Sequence, residues 1–196
     1  MVARRGTAVA SATLVAGAIG ALLPIASAWS DSARESRERP RGVVASCATQ
    51  SGASFPGAFT SRRNLVVGPL ALVGAGGTPS FVWDSTGKEG FQKFPLLVRE
   101  NHRVTVELPR RARRGAGVAY GPVPQGEVHL RDTHRVVTFI ACRGGRSWSS
   151  ADGKPVTFWS GAVLARSPRC VPLLVWLDGQ ASPRRAIIRL GVRTCG

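Results

Sequence analysis

Short apolar runs separated by glycine, proline and serine turns recur from about residue 64 to the end of the chain. In residues 103–108, valine and leucine alternate with threonine and glutamate, which is the pattern of a strand with one buried face. Residues 136–142 are apolar on both faces, as expected of a strand that is covered on both sides. No amphipathic helical periodicity of useful length occurs after residue 30.

These patterns predict an all-β fold. We expect an antiparallel immunoglobulin-like β-sandwich of about eight or nine strands, preceded by a signal helix and a disordered linker. Two apolar runs, residues 135–143 and 169–178, are predicted to be core strands because both are strongly β-prone.

The amino-terminal residues have the pattern of an export signal. Arg4 and Arg5 form a short positive segment, residues 6–29 carry no charge, and an Ala-x-Ala cleavage signature ends at Ala28. We therefore expect residues 1–28 to be a signal peptide that is cleaved after Ala28.

An uncleaved anchor through residues 6–28 is the alternative, because this uncharged segment is long enough to cross a bilayer. Cleavage predicts a secreted protein or one at the extracytoplasmic cell surface, and the anchor predicts a single-pass membrane protein with its domain outside. Residues 29–46 are predicted to be a disordered linker because they are charged and rich in serine, with no apolar periodicity. Residues 47–196 are predicted to form the disulfide-bonded β-sandwich domain.

Four cysteines lie beyond the predicted cleavage site, and an even number in an exported chain is typical of two disulfides. We predict the pair Cys142–Cys170, which joins the two core strands, and the pair Cys47–Cys195, which ties the start of the domain to its last strand. Four cysteines allow three connectivities, so the other two stay open. No cysteine lies in a C-x-x-C pair or close to a histidine, so no metal and no cofactor are expected.

The chain is strongly basic. Its 196 residues include 27 basic and 11 acidic ones, and the 25 basic residues beyond the signal peptide leave a net charge of +14. Such a field favours an anionic cell-wall polymer as partner, with a protein partner as the alternative. All but three of the basic residues are arginines, which also fits a GC-rich genome with no selection for binding.

Two stretches carry candidate binding residues. A Gly/Ser loop at residues 143–153 combines arginines with a tryptophan, and aromatic rings beside cations stack on sugars or on protein side chains. Residues 110–114 hold the densest arginine cluster, which is either a polyanion contact or a solvated loop. No aromatic residue interrupts that cluster, so no nucleic-acid binding is expected. The predicted binding surface consists of Arg143, Arg146, Trp148, Trp159, Arg110, Arg111, Arg113 and Arg114.

No catalytic motif is present. The three histidines lack the spacing of metal ligands, and no serine lies in a G-x-S-x-G elbow. The sequence therefore favours a non-enzymatic exported domain that binds an anionic envelope component or a protein. A membrane-anchored accessory domain and a secreted hydrolase or hydrolase inhibitor are the alternatives.

Several apolar segments resemble an uncharacterised family of exported actinobacterial disulfide-bonded β-domain proteins. The resemblance rests on residues 64–72, 94–108, 137–143 and 169–173, and it spans roughly residues 47–195. It implies export and a disulfide-bonded β domain. It implies no activity and no site residues.

Overall fold

The computed structural model describes residues 39–77, 79–122 and 127–195. The predicted signal peptide and residues 29–38 of the predicted linker lie outside the described residues. Within the described part of the chain, no helix is long and apolar enough to span a membrane.

The described residues form strands and two short 3₁₀ helices, Cys47–Thr49 and Leu130–Asp132. The predicted all-β class is therefore confirmed. The strands are β1 (Val43–Ala45), β2 (Ser54–Phe55), β3 (Leu65–Val67), β4 (Leu70–Leu72), β5 (Val82–Trp83), β6 (Gly90–Lys93), β7 (Leu96–Arg99), β8 (Arg103–Glu107), β9 (Ala116–Ala119), β10 (Val136–Ile140), β11 (Ser149–Ala151), β12 (Lys154–Trp159), β13 (Ala162–Ala165), β14 (Arg169–Leu177) and β15 (Arg184–Leu190).

These strands form three sheets. One has the order β1-β10-β8-β14-β15, a second has the order β2-β11-β12-β7-β4-β3, and a third has the order β5-β6-β13-β9. The pairs β1–β10 and β2–β11 are parallel, and the other strand pairs are antiparallel. Strand β1 lies in the predicted linker, so ordered structure begins before Cys47. Fifteen described strands do not confirm the predicted eight or nine, because strands of two or three residues are too short to show a periodicity.

One large hydrophobic core joins the three sheets. In β8, Val104 and Val106 are buried as predicted, but Thr105 on the predicted polar face is also buried, so the prediction of one buried face is wrong for this strand. In β15, Ile188 and Leu190 are likewise buried. The remaining buried apolar side chains of β4, β7, β9, β10, β13 and β14 pack into the same cluster.

Two smaller clusters cover the outer faces of two sheets. Ala58, Leu97 and Val156 form one cluster on the six-stranded sheet, with Phe59 packed against it. Leu130 forms the other with side chains of the four-stranded sheet, so the segment around the 3₁₀ helix Leu130–Asp132 covers that sheet's outer face. This second arrangement leaves a pocket that is described below.

All four cysteines are disulfide-bonded, but the predicted pairing is wrong. The bonds are Cys47–Cys142 and Cys170–Cys195, with Cα–Cα distances of 4.8 and 5.8 Å. Cys47 and Cys142 follow the parallel strands β1 and β10, so both reach the same end of the sheet.

Cys142 and Cys170 cannot meet because they lie at opposite ends of the five-stranded sheet. Both β10 and β14 pair antiparallel with β8, which lies between them. Cys142 extends beyond the end of β8 marked by Arg103, whereas Cys170 extends beyond the end marked by Glu107. Cys195 instead returns to the start of β14 after a turn at Gly191, whose φ is 69°.

Candidate functional site

The loop of residues 143–148, called the Trp148 loop here, follows β10 and the Cys47–Cys142 disulfide. The side chain of Trp148 is 71% exposed, the highest value among the exposed large hydrophobic residues of the described chain. Arg143 and Arg146 of the same loop are also exposed. The structure therefore brings together three residues of the predicted binding surface.

The side chain of Glu100 holds one side of the loop by accepting hydrogen bonds from two of its backbone N–H groups. The Glu100 carboxylate accepts from Gly145 N at 3.1 Å and from Ser147 N at 2.9 Å. Hydrogen bonds from the Ser147 side chain, from those two backbone N–H groups and the charge of Arg146 lower the pKa of Glu100, against an opposing effect of desolvation. Glu100 is therefore an ionised anchor at neutral pH.

Gln50 holds the other side of the loop. Its Nε2 donates to Arg146 O at 3.1 Å, and its Oε1 accepts from Trp148 N at 3.0 Å. Beneath the loop, the fully buried Thr157 accepts a hydrogen bond from Cys142 N at 2.7 Å. The backbone on either side of the exposed indole is thus fixed by an amide, a carboxylate and a disulfide.

Glycine is favoured at the turn of the Trp148 loop. Gly144 and Gly145 have φ values of 62° and 74°, in the left-handed region that side chains disfavour. A Cβ at either position would meet no atom within 4 Å, so the preference comes from backbone conformation and not from space.

Two open depressions flank the Trp148 indole. The depression on the Arg146 side measures ≈ 610 Å³ and includes Cys47 and Gln50. The depression on the other side measures ≈ 470 Å³ and includes Lys154, whose role sequence reasoning missed. The indole therefore stands between two surfaces that each carry a cation.

Trp159, which is included in the predicted binding surface as an exposed aromatic residue, is instead buried. Its side chain is 2% exposed, it packs against Phe139 with ring centroids 5.2 Å apart, and its Nε1 donates to Ser46 O at 3.1 Å. The prediction is wrong because the six-stranded sheet is buried on both faces, so β12 has no polar face from which its orientation can be read. Trp159 is a core residue.

The arginine cluster at residues 110–114 lies away from the Trp148 loop. It follows the Glu107 end of β8, whereas the loop adjoins the opposite end, where Asn101 N donates to Cys142 O at 3.0 Å. Arg113 donates to Glu107 Oε1 at 2.9 Å and is therefore committed to an internal ion pair. Arg110, Arg111 and Arg114 are exposed.

Sequence reasoning missed a pocket on the outer face of the four-stranded sheet. This pocket has a volume of ≈ 320 Å³. Its wall is mostly apolar, with Phe91 and Leu164 among the lining residues, and Asp84, Lys93 and Glu127 also line it. We call it the acidic pocket. A concave apolar site with a few polar groups is the usual form of a small-ligand site.

His129 lies next to the acidic pocket. His129, Asp84 and Glu127 each offer one donor atom, and these atoms lie within 4.8 Å of one another. Nδ1 of His129 is 3.0 Å from Glu89 Oε1. Among the described residues, Asp84, Glu127 and His129 form a group whose donor atoms are close enough together to bind a metal ion.

No protein-family model matches the chain, and no curated protein matches it significantly. The geometry of the Trp148 loop and of the acidic pocket therefore carries the functional argument.

Proposed function

We propose that this protein is a non-enzymatic extracytoplasmic binding domain that engages an anionic cell-envelope polymer through the Trp148 loop. One observation carries the proposal: Trp148 is 71% exposed although the backbone around it is held by Gln50, Glu100 and a disulfide. Water-exposed indole surface is unfavourable, and a rigid loop cannot hide it. Such a ring is suited to binding because little conformational entropy is lost when it is covered.

The charge around the indole favours an anionic polymer. Arg143 and Arg146 belong to the same loop, and Lys154 borders the neighbouring depression. A flat aromatic surface stacks on a sugar ring, and cations beside it attract carboxylate or phosphate groups of the same chain.

The few acidic residues do little to offset this field. Residues 39–196 contain 23 basic and 8 acidic residues, a net charge of +15. Five of the eight carboxylates accept backbone N–H groups and so have internal structural roles; these are Asp84, Glu89, Glu100, Asp132 and Asp152. The exposed arginines therefore dominate the long-range field.

We further propose that residues 1–28 direct export, that the sheets form an immunoglobulin-like sandwich, and that the chain belongs to the exported actinobacterial family described above. Two disulfides support an oxidising, extracytoplasmic compartment, since such bonds persist there.

Co-sedimentation with protein-free actinobacterial cell walls tests the proposal. We expect Trp148→Ala to weaken binding about tenfold or more, as for a central aromatic contact, and Trp148→Phe to retain part of the binding. Trp83→Ala is the matched control, because Trp83 is 48% exposed on β5. Equal binding by the wild type and Trp148→Ala would refute the proposal.

The charge component needs its own variants. Arg146→Gln combined with Lys154→Gln is expected to weaken binding to alginate, a pure polyuronate, and to reduce its salt dependence. Arg184→Gln combined with Arg185→Gln removes the same charge from β15 and should have a small effect. If both double variants lose affinity equally, the attraction is general and does not depend on the Trp148 loop.

A further inference from the structure

We infer that Asp84, Glu127 and His129 form a binding site for one divalent transition-metal ion at the rim of the acidic pocket. Their donor atoms lie within 4.8 Å of one another. Two ligands bound to one zinc ion at about 2.1 Å are separated by at most about 4.2 Å, so small side-chain movements would complete the site. Asp84 and Glu127 both line the pocket, so the ion would face it.

The orientation of the His129 ring is the observation that distinguishes this site from a group of surface acids. Nδ1 lies 3.0 Å from Glu89 Oε1, and Glu89 is itself held by Leu130 N, which donates to its carboxylate at 3.0 and 3.1 Å. With the Nδ1 proton donated to Glu89, Nε2 keeps a free electron pair. A carboxylate that orients a ligating histidine through its second nitrogen is the usual outer shell of a metal site.

Hydrogen bonds fix the position of the Asp84 carboxylate beside the pocket. Thr86 Oγ1 donates to Asp84 Oδ2 at 2.9 Å, and Lys88 N donates to Asp84 Oδ1 at 3.1 Å. Each carboxylate oxygen has more than one lone pair, so these hydrogen bonds leave acceptor capacity for a cation.

Negative charge is concentrated here in a chain that is otherwise basic. Asp84, Glu89, Glu127 and Asp132 surround His129, and these are four of the eight acidic residues in the span from 39 to 196. Among the described residues, neither Asp84 nor Glu127 forms a salt bridge with lysine or arginine. A bound cation would relieve the repulsion between these carboxylates.

The pocket also contains one basic group. Lys93 lines the same cavity as Asp84 and Glu127. Its positive charge opposes cation binding, so the Lys93→Gln variant is expected to bind the ion more tightly than the wild type. An anion bound at Lys93 would instead bind more weakly to the variant. The variant therefore tests the sign of the ligand's charge directly.

The donor set favours a transition metal over calcium or magnesium. Imidazole with carboxylates suits zinc and manganese, whereas calcium and magnesium take oxygen ligands. Affinity should follow the general order for such sites, with Zn²⁺ bound more tightly than Mn²⁺.

Isothermal titration calorimetry of the full-length, oxidised, untagged protein with Zn²⁺ tests the site. We expect one ion per chain. Glu127→Gln should weaken binding by about 10-fold or more and Glu89→Gln by about 10–100-fold, as for a ligand and an outer-shell partner. Because Glu127 is exposed and its only described hydrogen-bond partner is Ser85, Glu127→Gln should not disturb folding.

His102→Ala is the matched control for His129→Ala, because His102 is an exposed histidine elsewhere on the protein. Binding that survives in both Glu127→Gln and His129→Ala would overturn the inference. So would equal loss in His102→Ala, or no binding of Zn²⁺ at all.

Discussion

The Trp148 loop and the acidic pocket use carboxylates in opposite ways. In the loop, Glu100 binds the N–H groups of Gly145 and Ser147, and the exposed face carries an indole and arginines. At the pocket, carboxylates converge on one histidine, with Glu89 holding the ring. The same side-chain chemistry thus builds a positive surface in one place and a cation-binding group in another. What differs is that Glu100 binds N–H groups of the Trp148 loop, whereas at the pocket the donor atoms of Asp84, Glu127 and His129 lie within 4.8 Å of one another.

The disulfide variants should separate the two regions most strongly. Replacing Cys47 and Cys142 together by serine opens a loop of sequence separation 95 and should cost about 4–5 kcal/mol of unfolding free energy. Cys47 lines the depression on the Arg146 side of the Trp148 indole. Folded molecules of this variant should therefore lose polymer binding and keep Zn²⁺ binding. Chemical denaturation and calorimetry measure the two effects. Loss of both polymer binding and Zn²⁺ binding in a variant that still folds would show that the two sites are not independent.

The two tryptophans Trp159 and Trp148 should differ nearly as much. Trp159→Ala removes a buried ring and its hydrogen bond to Ser46 O, with an expected cost of about 3–5 kcal/mol. Trp148→Ala removes an exposed ring and should change stability by less than about 0.5 kcal/mol. Urea unfolding of both variants makes the comparison. A large destabilisation by Trp148→Ala would mean that the indole supports the fold.

Glu100 should make the Trp148 loop sensitive to acid. Its pKa in the folded protein is below the ordinary value of 4.5, so its contribution is present above that value and is lost as the pH falls through the folded pKa. Glu100→Gln should cost roughly 1 kcal/mol near neutral pH, a discounted value for hydrogen bonds to a partly exposed charge. The variant should also reduce the loss of stability below pH 4.5. Denaturant titrations across this pH range test both statements. If the unfolding free energy of Glu100→Gln fell with acid as it does in the wild type, Glu100 would not be the source of the acid sensitivity.

The smallest expected effect is that of Glu127→Gln on stability and on polymer binding. The side chain is exposed and contacts only Ser85 among the described hydrogen-bond partners, so the change in unfolding free energy should be within about 0.5 kcal/mol. Its binding to cell walls should equal that of the wild type. A parallel loss of polymer binding would show that the two regions form one site.

The sequence predicts which apolar side chains of an alternating strand are buried. Val104 and Val106 alternate with polar residues, and the structure confirms their burial, although Thr105 between them is buried as well. Trp159 could not be placed in this way because both faces of its sheet are covered. The cysteine pairing depends on the parallel contact of β1, a strand of three residues that shows no periodicity of its own.

The candidate sites were predictable to different degrees. The Trp148 loop is a local feature, since its arginines and tryptophan are neighbours in the sequence and are therefore visible there. Asp84, Glu127 and His129 come from separate segments that the folded four-stranded sheet brings together, so no spacing rule identifies them. The sequence shows only that acidic residues are scarce. The structure shows that four of them lie around His129.

Nuclear magnetic resonance of the tryptophan indole N–H groups tests the central claim most directly. The protein is labelled with ¹⁵N and titrated with alginate, and Trp148→Phe assigns the Trp148 signal. We predict that the Trp148 signal shifts on binding, while the signals of Trp159 and Trp176, which donate to Ser46 O and Glu107 Oε2, stay in place. Binding of alginate with no shift of the Trp148 signal would contradict the account.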